Sequence, residues 1–230
     1  MKKIIVFNHK MSLLYDDLYN YIERTNNLET DNDIIICPSD IYLEAFVNNS
    51  DWLIGSQNLN YNTDYKHTGE ISTDQLKSLG VEYSIIGHYE RVRDFNENAV
   101  IINNKLIAAL DANIFPIGEN IDDDYHEAIP KILDKYLKDV ENIEFIIFAY
   151  EPIFAIGTGA LPSRKRIEEV ISFVNEYLED KYKKKPNLLY GGSVDSSNIN
   201  DIINIEGING VLVGDISSNI KEVERIIQSV

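Results

Sequence analysis

Apolar residues in this chain fall into two kinds of run. Eight runs are short and almost continuous: KIIVF (3–7), DIIIC (33–37), WLIGS (52–56), EYSII (82–86), NIFPI (113–117), EFIIFAY (144–150), NLLY (187–190) and GVLV (210–213). Strands with one solvated face alternate apolar and polar residues, whereas strands covered on both faces do not, so these runs predict buried parallel strands. Between them the apolar spacing changes to three and four. In SRKRIEEVISFVNEYLEDKYKKK, Ile167, Val170, Ile171, Val174, Tyr177 and Leu178 share one helical face, and the lysines gather at the end where they suit the helix dipole. STDQLKSLG carries its own boundaries: Ser72 and Gln75 form a capping box, and Gly80 stops the helix.

Eight strands alternating with helices predict βα units. No linker or change of composition divides the 230 residues, so one domain over residues 1–230 is expected, most simply a (β/α)8 barrel. A doubly wound open sheet is the alternative, but no G-x-G-x-x-G follows the first strand. Composition narrows the partners. A net charge of −17 repels nucleic acid and anionic membranes, and requires any phosphate site to be locally positive. The single cysteine, Cys37, cannot form an intrachain disulfide, which fits a reducing cytoplasm. The apolar run in MKKIIVFNHK is too short for a signal peptide, and no run is long enough for a membrane helix.

In a barrel the chemistry gathers where strands end at their C-terminal side. Asn8, His9 and Lys10 follow the first run, His88, Tyr89, Glu90 and Arg91 the fourth, and Glu151 the sixth; YGGSV and VGDIS end the seventh and eighth. Each has an ordinary explanation. A strand-end histidine is usually a surface residue, a lysine a solvated charge, a glutamate a turn cap and a Gly-Gly pair a tight turn. A base, an imidazole, an ammonium and two glycine-rich turns on separate strand ends are a much rarer combination. No His/Cys/Asp cluster has metal-ligand spacing, so no metal or cofactor is expected.

These motifs, in this order and over nearly the whole chain, resemble the triosephosphate isomerase family. NHK resembles its Asn-x-Lys, QNLN…HTGEIS its third loop, IIGHYER its histidine motif, AYEPIFAIGTG its glutamate and lid, and YGGSV and VLVGD its phosphate turns. The resemblance implies a single-domain TIM barrel that isomerises a small phosphorylated sugar without a cofactor. It implies that Glu151 removes a proton beside a carbonyl, and that His88 acts as a neutral electrophile at a helix N-terminus. Lys10 would hold the oxyanion, Asn8 would position Lys10 and substrate, and Glu90 would shuttle protons or orient Lys10. Pro152, Ile153, Phe154, Ala155, Ile156, Gly157, Thr158 and Gly159 would form the lid that excludes water. Gly157, Ser193, Gly214 and Asp215 would meet the phosphate, and Thr68 would cross the interface of a homodimer.

Several positions depart from the family pattern. Tyr89 replaces a serine, and Pro116 replaces a cysteine. Phe154 replaces the lid-hinge tryptophan, so Glu119 is expected to lose an indole donor. GTGALPS is about two residues shorter than usual. Asp215 replaces the second glycine of a Gly-Gly turn. Its carboxylate could oppose a phosphate, so the expectation is that it turns away to cap a helix beginning at DISSNIKEVERI, leaving its backbone N–H for the substrate. Tyr89 and Asp215 keep open a four-carbon ketose phosphate as substrate. A retired barrel is a third reading, opposed by the intact Asn8, Lys10, His88, Glu90 and Glu151.

Overall fold

The computed structural model describes residues 2–109, 112–141, 143–157 and 161–230. The elements run β1 (Ile4–Asn8), α1 (Tyr15–Asn26), β2 (Asp33–Cys37), α2 (Leu43–Asn49), β3 (Leu53–Ser56), α3 (Thr73–Leu79), β4 (Tyr83–Ile85), α4 (Tyr89–Phe95) and α5 (Ala99–Ala108). They continue with β5 (Ala112–Ile117), α6 (Tyr125–Tyr136), β6 (Ile146–Tyr150), α7 (Arg164–Tyr182), β7 (Asn187–Tyr190), α8 (Ile199–Ile203), β8 (Gly210–Val213) and α9 (Ile220–Gln228). All eight expected runs are strands. Each pairs in parallel with its neighbours, and β1 closes on β8 with Ile4 opposite Gly210. The closed barrel removes the open-sheet alternative.

The strands alternate even though their sequences do not. Val6, Ile35, Ile85, Ile114, Ile147, Ala149, Leu189 and Leu212 pack together with Cys37 in one cluster. Their neighbours Ile5, Phe7, Ile34, Ile36, Phe115, Phe148 and Leu188 join a larger cluster with residues of the helices. The first set fills the barrel and the second seals barrel to helices, so both faces of each strand need apolar side chains. α7 buries Ile167, Val170, Ile171, Val174 and Leu178, with Tyr177 packed at the edge. α3 has the expected reciprocal capping box, and Gly80 ends it in the left-handed conformation at φ 97°.

Candidate active site

Period-two geometry selects the groups that enter the barrel mouth. A residue two places beyond the last inward side chain of a strand points the same way. Val6 is thus followed by Asn8, Ala149 by Glu151, Leu189 by Gly191 and Leu212 by Gly214. Gly191 is required by its neighbour: a Cβ there would lie 2.5 Å from Glu151 Cγ and 2.8 Å from its Oε1. The glutamate lies against bare backbone and stays buried.

Lys10 sits past the end of β1 in a left-handed turn, with φ 50°, which is uncommon for a side chain with Cβ. Hydrogen bonds hold the turn. The Lys10 N–H donates to Asn8 Oδ1 at 3.1 Å, and its carbonyl accepts from Ser39 Oγ at 2.7 Å and Gln57 Nε2 at 2.6 Å. Sequence reading did not single out Ser39 or Gln57. Gln57 lay inside the quoted third-loop motif, but its link to the Lys10 carbonyl crosses 47 residues.

His88 caps α4. Its Nδ1 accepts the backbone N–H of Glu90 at 3.3 Å. A backbone N–H can only donate, so the ring proton belongs on Nε2, which faces Glu151. His88 Nε2 and Glu151 Oε2 are 3.5 Å apart, and Glu151 Oε2 has no hydrogen-bond partner. Burial pushes the Glu151 carboxyl above the ordinary glutamate range, against the pull of His88 and Lys10. His9 is different in kind. It is buried against Tyr21 and Phe46, its Nε2 meets Tyr21 Oη at 3.0 Å, and burial holds its pKa down to about 3. It is a neutral core histidine.

The Lys10 ammonium lies between two carboxylates, 2.8 Å from Glu90 Oε1 and 2.6 Å from Asp215 Oδ1. Burial works against its charge, but these two partners outweigh burial and raise its pKa. Asn8, Lys10, His88, Glu151, Gly157, Ser193, Gly214 and Asp215 line one cavity of about 360 Å³. Glu90 stands on the far side of Lys10, with its second oxygen 3.6 Å from His88 Nδ1. A desolvated base, a ring N–H and an ammonium facing one small cavity can remove a proton from carbon and hold the resulting oxyanion.

The sequence profile of the triosephosphate isomerase family matches residues 3–230. The chain belongs to the triosephosphate isomerase family. It is 35% identical to the triosephosphate isomerase of Wolbachia sp. subsp. Brugia malayi over 100% of this chain and 98% of that one. It is also 35% identical to that of Ehrlichia chaffeensis (99% and 96% covered) and 33% identical to that of Alkaliphilus oremlandii (98% and 98%).

Against the family pattern, one expectation needs correcting. Asp215 does not turn away: its carboxylate reaches the Lys10 ammonium. The following helix begins at Ile220 and is capped by Asn219, whose Oδ1 accepts from the Lys221 N–H, so the cap is taken four residues later. Glu119 has not been left without donors by the loss of the indole. Its Oε1 accepts from Arg166 Nη2 at 2.8 Å and from Tyr150 Oη at 3.0 Å. Arg166, in the first turn of α7, also stacks over Tyr125 at 4.1 Å. In the stretch expected to form the lid, Pro152 leads into a single 3-10 turn, Ile153–Ala155, whose Ala155 carbonyl accepts from Ser193 Oγ at 2.5 Å. Ile156 and Gly157 continue over the cavity, Gly157 with φ 66°. Thr158 and Gly159 lie outside the described residues. Thr68 lies in a stretch, residues 63–70, that is exposed throughout.

Proposed function

We propose that this chain interconverts dihydroxyacetone phosphate and D-glyceraldehyde 3-phosphate. The observation that carries the reading is the buried Glu151 carboxylate, with an unpartnered oxygen, facing the same cavity as His88 Nε2 and the Lys10 ammonium. Glu151 takes a proton from the carbon beside the carbonyl. The electron pair moves onto the carbonyl oxygen, where Lys10 and the His88 Nε2–H stabilise the developing charge. His88 moves a proton between the two oxygens of the enediolate, and Glu151 returns its proton to the neighbouring carbon. Asn8 fixes the Lys10 turn, Glu90 orients the ammonium, and the backbone at Gly157, Ser193, Gly214 and Asp215 receives the phosphate. Residues 152–159 act as the lid, keeping water from the enediolate.

The test is a coupled assay of the purified chain on triose phosphate, run beside a four-carbon ketose phosphate. Turnover of the triose at enzymatic rates is expected. A strong preference for the four-carbon substrate, or no turnover of either, would refute the assignment.

The reading extends to a single-domain chain, residues 1–230, working as a homodimer in the cytoplasm. Support comes from the exposed 63–70 stretch carrying Thr68, and from a second cavity of about 630 Å³ on the Glu90 side of Lys10. Met11 and Phe95 border that cavity and are 92% and 64% exposed, large apolar groups that a second copy's third loop would cover. Cys37 is free and buried, in keeping with a reducing compartment. Among the described residues no helix is long and apolar enough to cross a membrane.

A further inference from the structure

The charges around the cavity pose a problem for a dianionic substrate. Among the described residues that line it, Lys10 is the one lysine or arginine, and Glu151, Asp195 and Asp215 are the carboxylates. Lys10 is also held by Glu90 from behind, so its ammonium is already outnumbered before any substrate arrives. Asp215 sits where this matters most. One oxygen accepts from Lys10 Nζ at 2.6 Å, and the other lies 3.3 Å from where a Cβ on the lid residue Gly157 would stand. Its own backbone follows Gly214, over which Lys10 lies, its Cε 3.5 Å from the Cβ position there. A single side chain therefore spans from the catalytic ammonium to the lid, across the end of the cavity assigned to phosphate.

We propose that Asp215 is a built-in competitor of the substrate's phosphoryl group. Its carboxylate balances Lys10 and holds it in place, and an arriving dianion competes with it for that ammonium. The inference rests on the phosphate assignment made under Proposed function. It follows from the geometry in two ways. A phosphate oxygen entering between Lys10 and Gly157 meets the Asp215 carboxylate there. If Asp215 swings out, which its 57% exposure allows, the dianion is admitted only after one short charge-assisted hydrogen bond has been broken. If it stays, like charges face each other in a partly desolvated site, where repulsion is stronger than in water. Lys10 keeps Glu90 as a partner in either case, so the ammonium remains placed when Asp215 leaves. Asp215 thus sets the affinity of the site for phosphate dianions rather than supplying it.

The experiment measures inorganic phosphate binding, by titration calorimetry and as competitive inhibition, in the parent chain and in Asp215→Asn and Asp215→Gly. Asparagine keeps the shape and removes the charge; glycine removes the side chain. Both are expected to bind phosphate about tenfold more tightly, about 1.4 kcal/mol, and to lower KM in the same direction. The advantage over the parent should shrink as salt shortens the screening length from about 10 Å to about 3 Å, a dependence that a purely structural role would not produce. Equal affinities in all three chains would overturn the role of Asp215 alone. Weaker binding in the variants would also overturn it, by making the carboxylate a ligand. If none of the three bound phosphate, the phosphate end itself would be misassigned, and this proposal would fall with it.

Discussion

At the scale of single residues, the site works by keeping unlike environments a few ångströms apart. Glu151 is buried with an unpartnered oxygen, while Lys10, three strand ends away around the mouth, holds a surplus of partners. This has a consequence for stability. The Glu151 carboxyl ionises above its ordinary 4.5 in the folded chain. Below pH 4.5 it is protonated in both folded and unfolded states and contributes no difference between them. As pH rises through the folded-state value, the folded chain must ionise a buried acid, and stability is lost. Glu151→Gln should therefore match the parent in acid and melt higher at neutral pH, where ~1 kcal/mol appears as about 2–4 °C in a chain this size. A melting temperature equal to or below the parent's across the whole range would contradict the burial argument. For Lys10→Ala, loss of the ammonium should raise KM and lower kcat together, with kcat/KM falling by about a hundredfold or more, because the charge meets both substrate and oxyanion. Intact kinetics with altered stability alone would make Lys10 a structural charge. The identities of these groups were legible in the sequence because strand ends and glycine pairs mark them. The direction of the Asp215 side chain was not: it is decided by an ammonium 205 residues away, which no local pattern encodes.

At the scale of elements, the eight apolar runs were legible because each strand must bury both faces, and the capping box of α3 because its hydrogen bonds are local. The surroundings of Glu119 were harder to read. The sequence reveals that Phe154 lacks an indole N–H, but the substitute donor comes from Arg166, 47 residues past Glu119 and on another element. The Glu119 side chain is completely covered, and one of its oxygens has no partner. Arg166→Met should therefore leave a buried carboxylate held by the Tyr150 hydroxyl alone and destabilise the fold by about 3 kcal/mol. Adding Glu119→Gln should recover much of that, because an uncharged amide costs less to bury. Chemical denaturation of the two variants checks this. A single variant as stable as the parent would show that Arg166 does not offset the burial of the Glu119 carboxylate.

At the scale of the whole molecule, the barrel mouth gathers groups from five strand ends, and the third loop runs from Gln57, on the Lys10 carbonyl, out to an exposed tip. An exposed 63–70 stretch beside an open cavity bordered by Met11 and Phe95 suits a symmetric assembly in which each copy fills the other. Sedimentation at micromolar concentration is expected to give a dimer, and Thr68→Arg a monomer with much reduced turnover; a fully active monomer would contradict it. The most direct measurement follows the proton that Glu151 is proposed to remove. Triose phosphate incubated with the chain in deuterium oxide should take up deuterium at the carbon beside the carbonyl, followed by proton NMR. Glu151→Gln, folded to the same extent, should slow that exchange by about a thousandfold or more. Exchange at near-parent rates in the glutamine variant would mean that another group is the base.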